Sequence, residues 1–235
     1  MKYLTKKTFV GAVFCFSLFS MFSASAAIID FNAVSASWTG IVGGTDITGE
    51  GTNEIRWGTS AISTGERSGY RFDGAAPPSF SVQTGVEFTL GAFTHFNFPI
   101  IAGGAIESAQ LNISVDLSLG GTNLSEGPFT FSFLHEETPN TEVDCCNDIV
   151  NFTNLLASDS FMIDGILYTL AITGFKVGDI ITTSFSTIEG QTNTAELRAI
   201  FRTAAVPAPA TVILFSFGLL LLSLVRRQAA RSVNH

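Results

Sequence analysis

Residues that could carry chemistry are concentrated in two short stretches of this sequence. In the first, Thr94-His95-Phe96-Asn97 is followed by Pro99. Residues two apart on a strand project from the same face, so His95 and Asn97 would act together. The pair can bind a sugar hydroxyl or a metal ion. Alternatively, it forms a structural corner in which both side chains hydrogen-bond to the backbone where Pro99 ends the strand.

The second stretch is acidic and follows His135. Hard oxygen donors on a loop are what Ca²⁺ requires, although the spacing here does not match an EF-hand. The candidate calcium ligands are Glu136, Glu137, Asn140, Asp144 and Asp148. A solvated acidic loop between two strands is the alternative. Pairing His135 with His95 suggests zinc instead, but the sequence shows no third ligand for them.

Cys145 and Cys146 lie inside this acidic stretch and are adjacent. A ring between neighbouring cysteines is strained, and a redox motif would place two residues between them. A vicinal disulfide, an intermolecular bridge and a reduced pair all remain open.

Three aromatic residues, Trp38, Trp57 and Tyr70, are candidates for stacking on a sugar ring. Ordinary core packing is the alternative, and it is favoured for Trp57, which sits beside Ile55 and Gly58.

Catalytic signatures are missing from the sequence. It contains no Gly-x-Ser-x-Gly, no His-Glu-x-x-His and no phosphate-binding glycine loop, and nothing singles out one pair of carboxylates for glycoside hydrolysis. The sequence therefore predicts a protein that is not an enzyme and has no cofactor, calcium excepted.

The elements that must position these residues have a period of two. Leu111, Ile113, Val115, Leu117 and Leu119 alternate with polar residues, as on a strand with one buried face. Asp164-Gly165 suits the turn of a hairpin running from Ser160 to Ile172. Further strands are expected in several shorter runs, among them Val86–Leu90, Phe93–Phe98 and Ile180–Ile188.

No segment between Ala27 and Ala205 shows the period of an amphipathic helix. Many short strands with turn signals between them predict one all-β domain at residues 28–205, an antiparallel β-sandwich of jelly-roll type.

The charge of this domain excludes one class of partner. All 20 acidic residues of the chain lie in it, against 6 of the 12 basic ones, so its formal charge is −14 compared with −8 for the whole chain. Such a surface disfavours nucleic acid, and it disfavours anionic polysaccharide unless divalent cations bridge the two.

Residues 1–27 have the pattern of a secretory signal peptide. Lys2, Lys6 and Lys7 precede an apolar segment, and Ser23-Ala24-Ser25-Ala26-Ala27 supplies small residues for cleavage after Ala26 or Ala27. We therefore expect the protein to be exported.

Residues 206–235 form a second targeting segment. Pro207 and Pro209 precede an apolar run at residues 210–225, which as a helix would be about 24 Å long against a bilayer core of roughly 30 Å. Arg226 and Arg227 follow and would remain cytoplasmic. This segment predicts a short transmembrane helix with the domain outside the inner membrane.

This order of parts resembles the PEP-CTERM sorting signal of Gram-negative bacteria. The match is carried by Val206, Pro207, Pro209, Ala210, Thr211, Arg226 and Arg227, with Ala208 where that family usually has Glu. The resemblance implies an intermediate in the inner membrane, cleavage by an exosortase-type transpeptidase, and delivery to the cell surface or extracellular matrix. An uncleaved membrane anchor is the alternative.

With both ends considered, Thr94, His95 and Asn97 resemble the motif of the bacterial THxN family, whose members carry PEP-CTERM tails. Together the resemblances imply a structural or adhesive protein of an exopolysaccharide-rich envelope. The alternative function is a carbohydrate-binding module, calcium-dependent or not.

Overall fold

The computed structural model describes residues 26–138 and 147–205, and every regular element in those ranges is a β-strand. The strands are β1 (Ile28–Gly43), β2 (Glu54–Trp57), β3 (Ser68–Gly74), β4 (Phe80–Gln83), β5 (Glu87–Asn97), β6 (Ile106–Leu119), β7 (Thr122–Glu136), β8 (Asp148–Phe152), β9 (Leu156–Ile163), β10 (Ile166–Val177), β11 (Ile180–Thr182), β12 (Ser184–Thr187) and β13 (Gln191–Ala205). Within these two ranges, no helix has the length and apolar character needed to cross a bilayer.

These strands form two antiparallel sheets. The first has the order β12-β8-β7-β6-β1-β4. The second has the order β11-β10-β13-β5-β3-β2, and β9 also pairs with β10. Both sheets contribute to one hydrophobic core, so the arrangement is sandwich-like and the predicted all-β class is confirmed.

Local sequence signals explain where the strands form. Burial along β6 alternates, with Leu111, Ile113 and Val115 buried, as the period of two predicted. Asp164 and Gly165 have φ values of 51° and 75° and connect β9 to β10. Positive φ at both positions is what a two-residue hairpin turn requires, and this hairpin is confirmed.

Two boundaries differ from the sequence-based expectation. The runs Val86–Leu90 and Phe93–Phe98 belong to one strand, β5, because its backbone continues to pair with β3 and β13 around Gly91. The run Ile180–Ile188 is instead two strands in different sheets, since β11 pairs with β10 and β12 pairs with β8.

A crossing between the sheets positions the polar residues of interest. The chain leaves the first sheet at Thr187, passes through residues 188–190, and enters the second sheet at Gln191, which pairs with Asn97. In the first sheet Thr187 pairs with Asp148. This crossing therefore brings the end of β12 against the end of β5.

Aromatic side chains fill the space between the sheets. Phe93 of the second sheet stacks on Phe133 of the first with ring centroids 5.6 Å apart and planes 5° from parallel. Trp38, Trp57 and Tyr70 are fully buried at one side of this pair. Large aromatic side chains contribute most of the area that such a core removes from water.

Candidate functional site

A cluster of polar side chains lies buried between the sheets, beside the β12–β13 crossing. On β5 the inner face carries Phe93, His95 and Asn97, and both polar side chains reach Thr187 in the opposite sheet. His95 Nδ1 lies 2.8 Å from Thr187 Oγ1, and Asn97 Nδ2 donates to the Thr187 carbonyl oxygen at 3.1 Å. This histidine and asparagine therefore link the two sheets.

The Thr187 hydroxyl determines which nitrogen of His95 carries the proton. Its one hydrogen is donated to the carbonyl oxygen of Asp148 at 3.2 Å. It must therefore accept from His95 Nδ1–H, and His95 Nε2 is left with a lone pair. That nitrogen is buried and has no hydrogen-bond partner in the described part of the chain. An unsatisfied buried acceptor costs about 1 to 3 kcal/mol.

His135 enters the cluster from β7 of the first sheet. Its Nδ1 lies 2.7 Å from the hydroxyl of Tyr70, which belongs to β3 of the second sheet. Its Nε2 lies 3.2 Å from Glu137 Oε2 and 3.9 Å from Asp148 Oδ2. The rings of His95 and His135 are perpendicular, with centroids 5.2 Å apart.

Asp148 supplies a carboxylate at the same place. Its Oδ1 accepts from the backbone N–H of Thr138 at 3.0 Å and from the Thr138 hydroxyl at 3.3 Å. Its Oδ2 is buried and has no hydrogen-bond partner among the described residues. One ligand atom each from His95, His135 and Asp148 lies within 4.8 Å of the others.

Burial and mutual repulsion perturb the acids of this cluster. Burial, followed by the charge of Glu137, raises the pKa of Asp148 to about 7. Burial, followed by the charges of Asp148 and Glu137, raises the pKa of Glu189 to about 7 as well. Both oxygens of Glu189 are inaccessible and lack a hydrogen-bond partner in the ranges described. Three carboxylates therefore share one poorly solvated site.

The same buried environment also shifts the pKa values of His95 and Tyr70. Burial, followed by the proximity of His135, lowers the pKa of His95 well below its usual value, so His95 is neutral at pH 7. Burial, followed by the charge of Asp148, raises the pKa of the Tyr70 hydroxyl well above its usual value. The neutral imidazole of His95 and the phenol of Tyr70 are therefore the forms that donate or accept hydrogen bonds here.

Thr94, the first residue of the sequence motif, lies on the other face of β5. Its hydroxyl is 3.2 Å from that of Thr194, on the neighbouring strand β13. Phe96 lies on the same face, and the guanidinium carbon of Arg56 lies 3.4 Å from the centroid of the Phe96 ring. Of the Thr-His-x-Asn motif, only the histidine and the asparagine enter the cluster.

The aromatic residues considered for sugar stacking are core residues. Trp38, Trp57 and Tyr70 each have 0% exposure, so none offers a ring face to a sugar. Trp57 packs against the rings of both His95 and His135, at centroid distances of 6.1 and 5.3 Å. The expectation that these three side chains form a carbohydrate platform is corrected, because the strands that carry them turn them inward.

The acidic stretch is divided between the two faces of the first sheet. Glu136 is exposed on the outer face, where it accepts from Asn151 Nδ2 at 3.0 Å. Glu137 and Asp148 lie instead beside His135. Since Glu136 pairs with Ile149 and not with Asp148, its side chain does not converge with that of Asp148.

Several predicted site residues lie outside the described ranges. They are the calcium candidates Asn140 and Asp144, the thiols Cys145 and Cys146, and the sorting residues Val206, Pro207, Pro209, Ala210, Thr211, Arg226 and Arg227.

Two members of the cluster, Thr187 and Glu189, were not singled out by the sequence. Thr187 is at an inner position of β12, two residues after buried Phe185, and this alternation is the only sequence signal for it. Nothing in the sequence marks Glu189, because its place depends on the crossing between the sheets.

Fold and site together define an antiparallel β-protein of two sheets with an enclosed cluster of two histidines and three carboxylates. The chain matches no model of a known protein family and no curated protein. The resemblances to the PEP-CTERM and THxN families therefore stay expectations that depend on the quoted residues.

Proposed function

We propose that this chain is an exported, non-enzymatic protein with a structural or adhesive role at the cell surface or in an exopolysaccharide-rich extracellular matrix. In this proposal a signal peptide directs export. An exosortase-type enzyme then releases the protein from an inner-membrane intermediate. The proposed fold of the mature protein is a jelly-roll-like sandwich, and the chain's repeated crossing from one sheet to the other supports it.

The proposal of a structural role depends on the burial of the polar cluster. His95, Asn97 and Asp148 are each 0% exposed. A catalytic group must reach a substrate, whereas these side chains have no exposed surface. Groups that link two sheets in the core are suited to holding a domain together outside the cell.

Strand positions are consistent with processing at both ends. The described strands occupy residues 28–205, so removal of residues 1–26 and of the segment from 206 onward leaves each of them whole. Ala27 donates its N–H to Thr84 Oγ1 at 2.9 Å. Cleavage after Ala26 keeps this hydrogen bond and cleavage after Ala27 removes it, so we expect Ala27 to be the mature N-terminus.

Mass spectrometry of the protein from its native envelope tests the proposal. We expect a mature chain that begins at Ala27 and has lost the apolar segment 210–225. A variant in which Pro207 and Pro209 are both replaced by alanine should accumulate in the inner membrane with its tail attached. An intact chain of 235 residues in the cytoplasm would contradict export, and an intact tail at the cell surface would contradict cleavage.

The alternative, a carbohydrate-binding module, needs a surface other than the buried aromatics. One shallow hollow of about 440 Å³ has Asp46, Thr59, Ser60 and Arg67 among its lining residues. If this hollow binds envelope polysaccharide, retention of the protein on that polysaccharide should fall in an Arg67→Ala variant and persist in an Arg202→Ala variant. Equal retention of both variants would show that this hollow does not bind the polysaccharide.

A further inference from the structure

We propose that His95, His135 and Asp148 hold a divalent transition-metal ion of the zinc type, which ties the two sheets together beside the β12–β13 crossing. His95 comes from the second sheet, whereas His135 and Asp148 come from the first. A single ion bound to all three would therefore cross-link the sandwich.

The donor set selects the class of metal. Two imidazole nitrogens and one carboxylate oxygen lie within 4.8 Å of one another. Zinc readily takes nitrogen and oxygen ligands together, whereas calcium takes oxygen ligands almost alone. This cluster differs from the calcium site expected from the acidic stretch, since Glu136 lies on the opposite face of the sheet.

Two of the three ligand atoms lack a hydrogen-bond partner in the described part of the chain. His95 Nε2 and Asp148 Oδ2 are buried and have no hydrogen-bond partner among the residues described, although buried polar atoms are nearly always paired. Both residues are 0% exposed. Two unpaired acceptors facing one another are unfavourable unless a cation or a proton donor lies between them.

The Nδ1 atom of each histidine makes a hydrogen bond, as the non-ligating nitrogen of a metal-bound histidine usually does. A metal-bound histidine usually has its second nitrogen fixed by a hydrogen bond, which orients the ring. Thr187 holds Nδ1 of His95 and Tyr70 holds Nδ1 of His135. In both rings the nitrogen left for a metal is Nε2. That of His95 has no partner in the described ranges, whereas that of His135 would exchange its 3.2 Å contact with Glu137 Oε2 for the metal.

Charge also favours a cation. Glu137, Asp148 and Glu189 lie close together, and none of the ion pairs with lysine or arginine in the described ranges involves them. A divalent ion would offset the negative charge that these carboxylates share. Glu137, whose Oε2 lies 3.2 Å from His135 Nε2, is a candidate for a fourth ligand.

The geometry needs only a small adjustment. Atoms at the corners of a triangle with 4.8 Å sides lie about 2.8 Å from its centre. Zinc bonds are 2.0 to 2.2 Å long, so each ligand atom would move inward by about 0.7 Å.

The experiment measures metal binding by the full chain purified in mild detergent. The chain is stripped with chelator and dialysed against Zn²⁺ alone, Ca²⁺ alone or both, and bound metal is counted by mass spectrometry. Co²⁺ replaces Zn²⁺ in a parallel sample, because its visible absorption reports tetrahedral nitrogen and oxygen ligands. We expect one zinc per chain, undiminished by Ca²⁺, and a melting temperature raised by about 10 °C at saturating zinc.

Two variants test the ligands and two act as controls. Asp148→Asn keeps the shape of the side chain and should weaken zinc binding about 100-fold or more, as should His135→Gln. His235→Gln removes the remaining histidine, and a Cys145→Ser, Cys146→Ser double variant removes the adjacent thiols. Both controls should retain one zinc and the tetrahedral cobalt spectrum. A far-ultraviolet circular dichroism spectrum typical of strands in every variant shows that loss of metal is not loss of fold.

Three outcomes would overturn the proposal. The first is no stoichiometric zinc in the wild-type chain, which would assign the unpaired atoms to a buried water molecule. The second is zinc that survives Asp148→Asn and His135→Gln but is lost with the cysteines. The third is binding of Ca²⁺ in preference to Zn²⁺.

Discussion

Replacing Asp148 with asparagine should stabilise the metal-free protein at alkaline pH. In the folded chain this carboxyl is 0% exposed, and its Oδ2 has no hydrogen-bond partner in the described residues. Asparagine has the same shape, and its carbonyl oxygen can still accept both hydrogen bonds from Thr138. The substitution therefore removes a buried negative charge and keeps the packing.

The magnitude follows from the pKa of Asp148, which burial and the charge of Glu137 raise to about 7. In the unfolded chain an aspartate titrates near 3.9, so folding raises the pKa by about 3 units. Because the folded state holds the proton more tightly, stability from this group is fully present below about pH 4 and is lost as pH rises to about 7. Three units correspond to an upper limit of about 4 kcal/mol. We expect a loss of about 2 kcal/mol between pH 5 and pH 8, because Glu137 and Glu189 share the repulsion.

Urea unfolding of the chelator-treated chain at pH 5, 6.5 and 8 measures this effect. Fluorescence is a suitable signal, since Trp38 and Trp57 are both fully buried in the folded protein. Relative to wild type, Asp148→Asn should gain about 2 kcal/mol of stability between pH 5 and pH 8, in addition to a gain of about 1 kcal/mol already present at pH 5. Asp179→Asn, at an exposed turn position, is the matched control and should follow the wild-type pH dependence.

A wild-type stability that does not fall between pH 5 and pH 8 would contradict the raised pKa of Asp148. An Asp148→Asn variant less stable than wild type at pH 8 would contradict it as well. Either result would mean that the Asp148 carboxylate is better solvated or better paired than the described contacts indicate.

Three further substitutions test other parts of the structure by urea unfolding. Thr187→Val should cost about 2 to 4 kcal/mol, because it leaves His95 Nδ1–H without its acceptor, and Thr187→Ser, which keeps the hydroxyl, should recover most of that loss. Trp38→Ala should cost about 3 to 5 kcal/mol through lost burial and a cavity, while Ile28→Ala, at a side chain 62% exposed, should change stability by less than about 0.5 kcal/mol. Arg56→Ala should cost about 1 kcal/mol through loss of the contact over the Phe96 ring; an unchanged stability would show that this contact contributes nothing.

Local patterns were sufficient to predict most strands. Alternating apolar residues predicted β6, and Asp164-Gly165 predicted the β9–β10 hairpin, because both signals act between neighbours in the sequence. Sheet membership was not predictable in the same way. The apolar run at Ile180–Ile188 predicts one strand. In the structure the chain crosses from one sheet to the other within this run. That crossing is determined by pairing partners that are distant in the sequence.

The same distinction applies to the candidate site. The spacing of His95 and Asn97 correctly predicted that both side chains share a face, since strand geometry fixes this locally. Their partner Thr187 is 92 positions from His95, and no local pattern links the two.

The sequence by itself determined the strand-forming character of residues 28–205, the acidity of this domain and the two targeting patterns at its ends, because these properties depend on composition and on periods of a few residues. Only the tertiary structure decided that the aromatic candidates are buried, that Glu136 and Asp148 lie on opposite faces, and that Asp148 lies within 4.8 Å of the two histidines. The physical reason is that packing two sheets face to face brings together side chains far apart in the chain, and the free energy of that packing is a sum over the whole core.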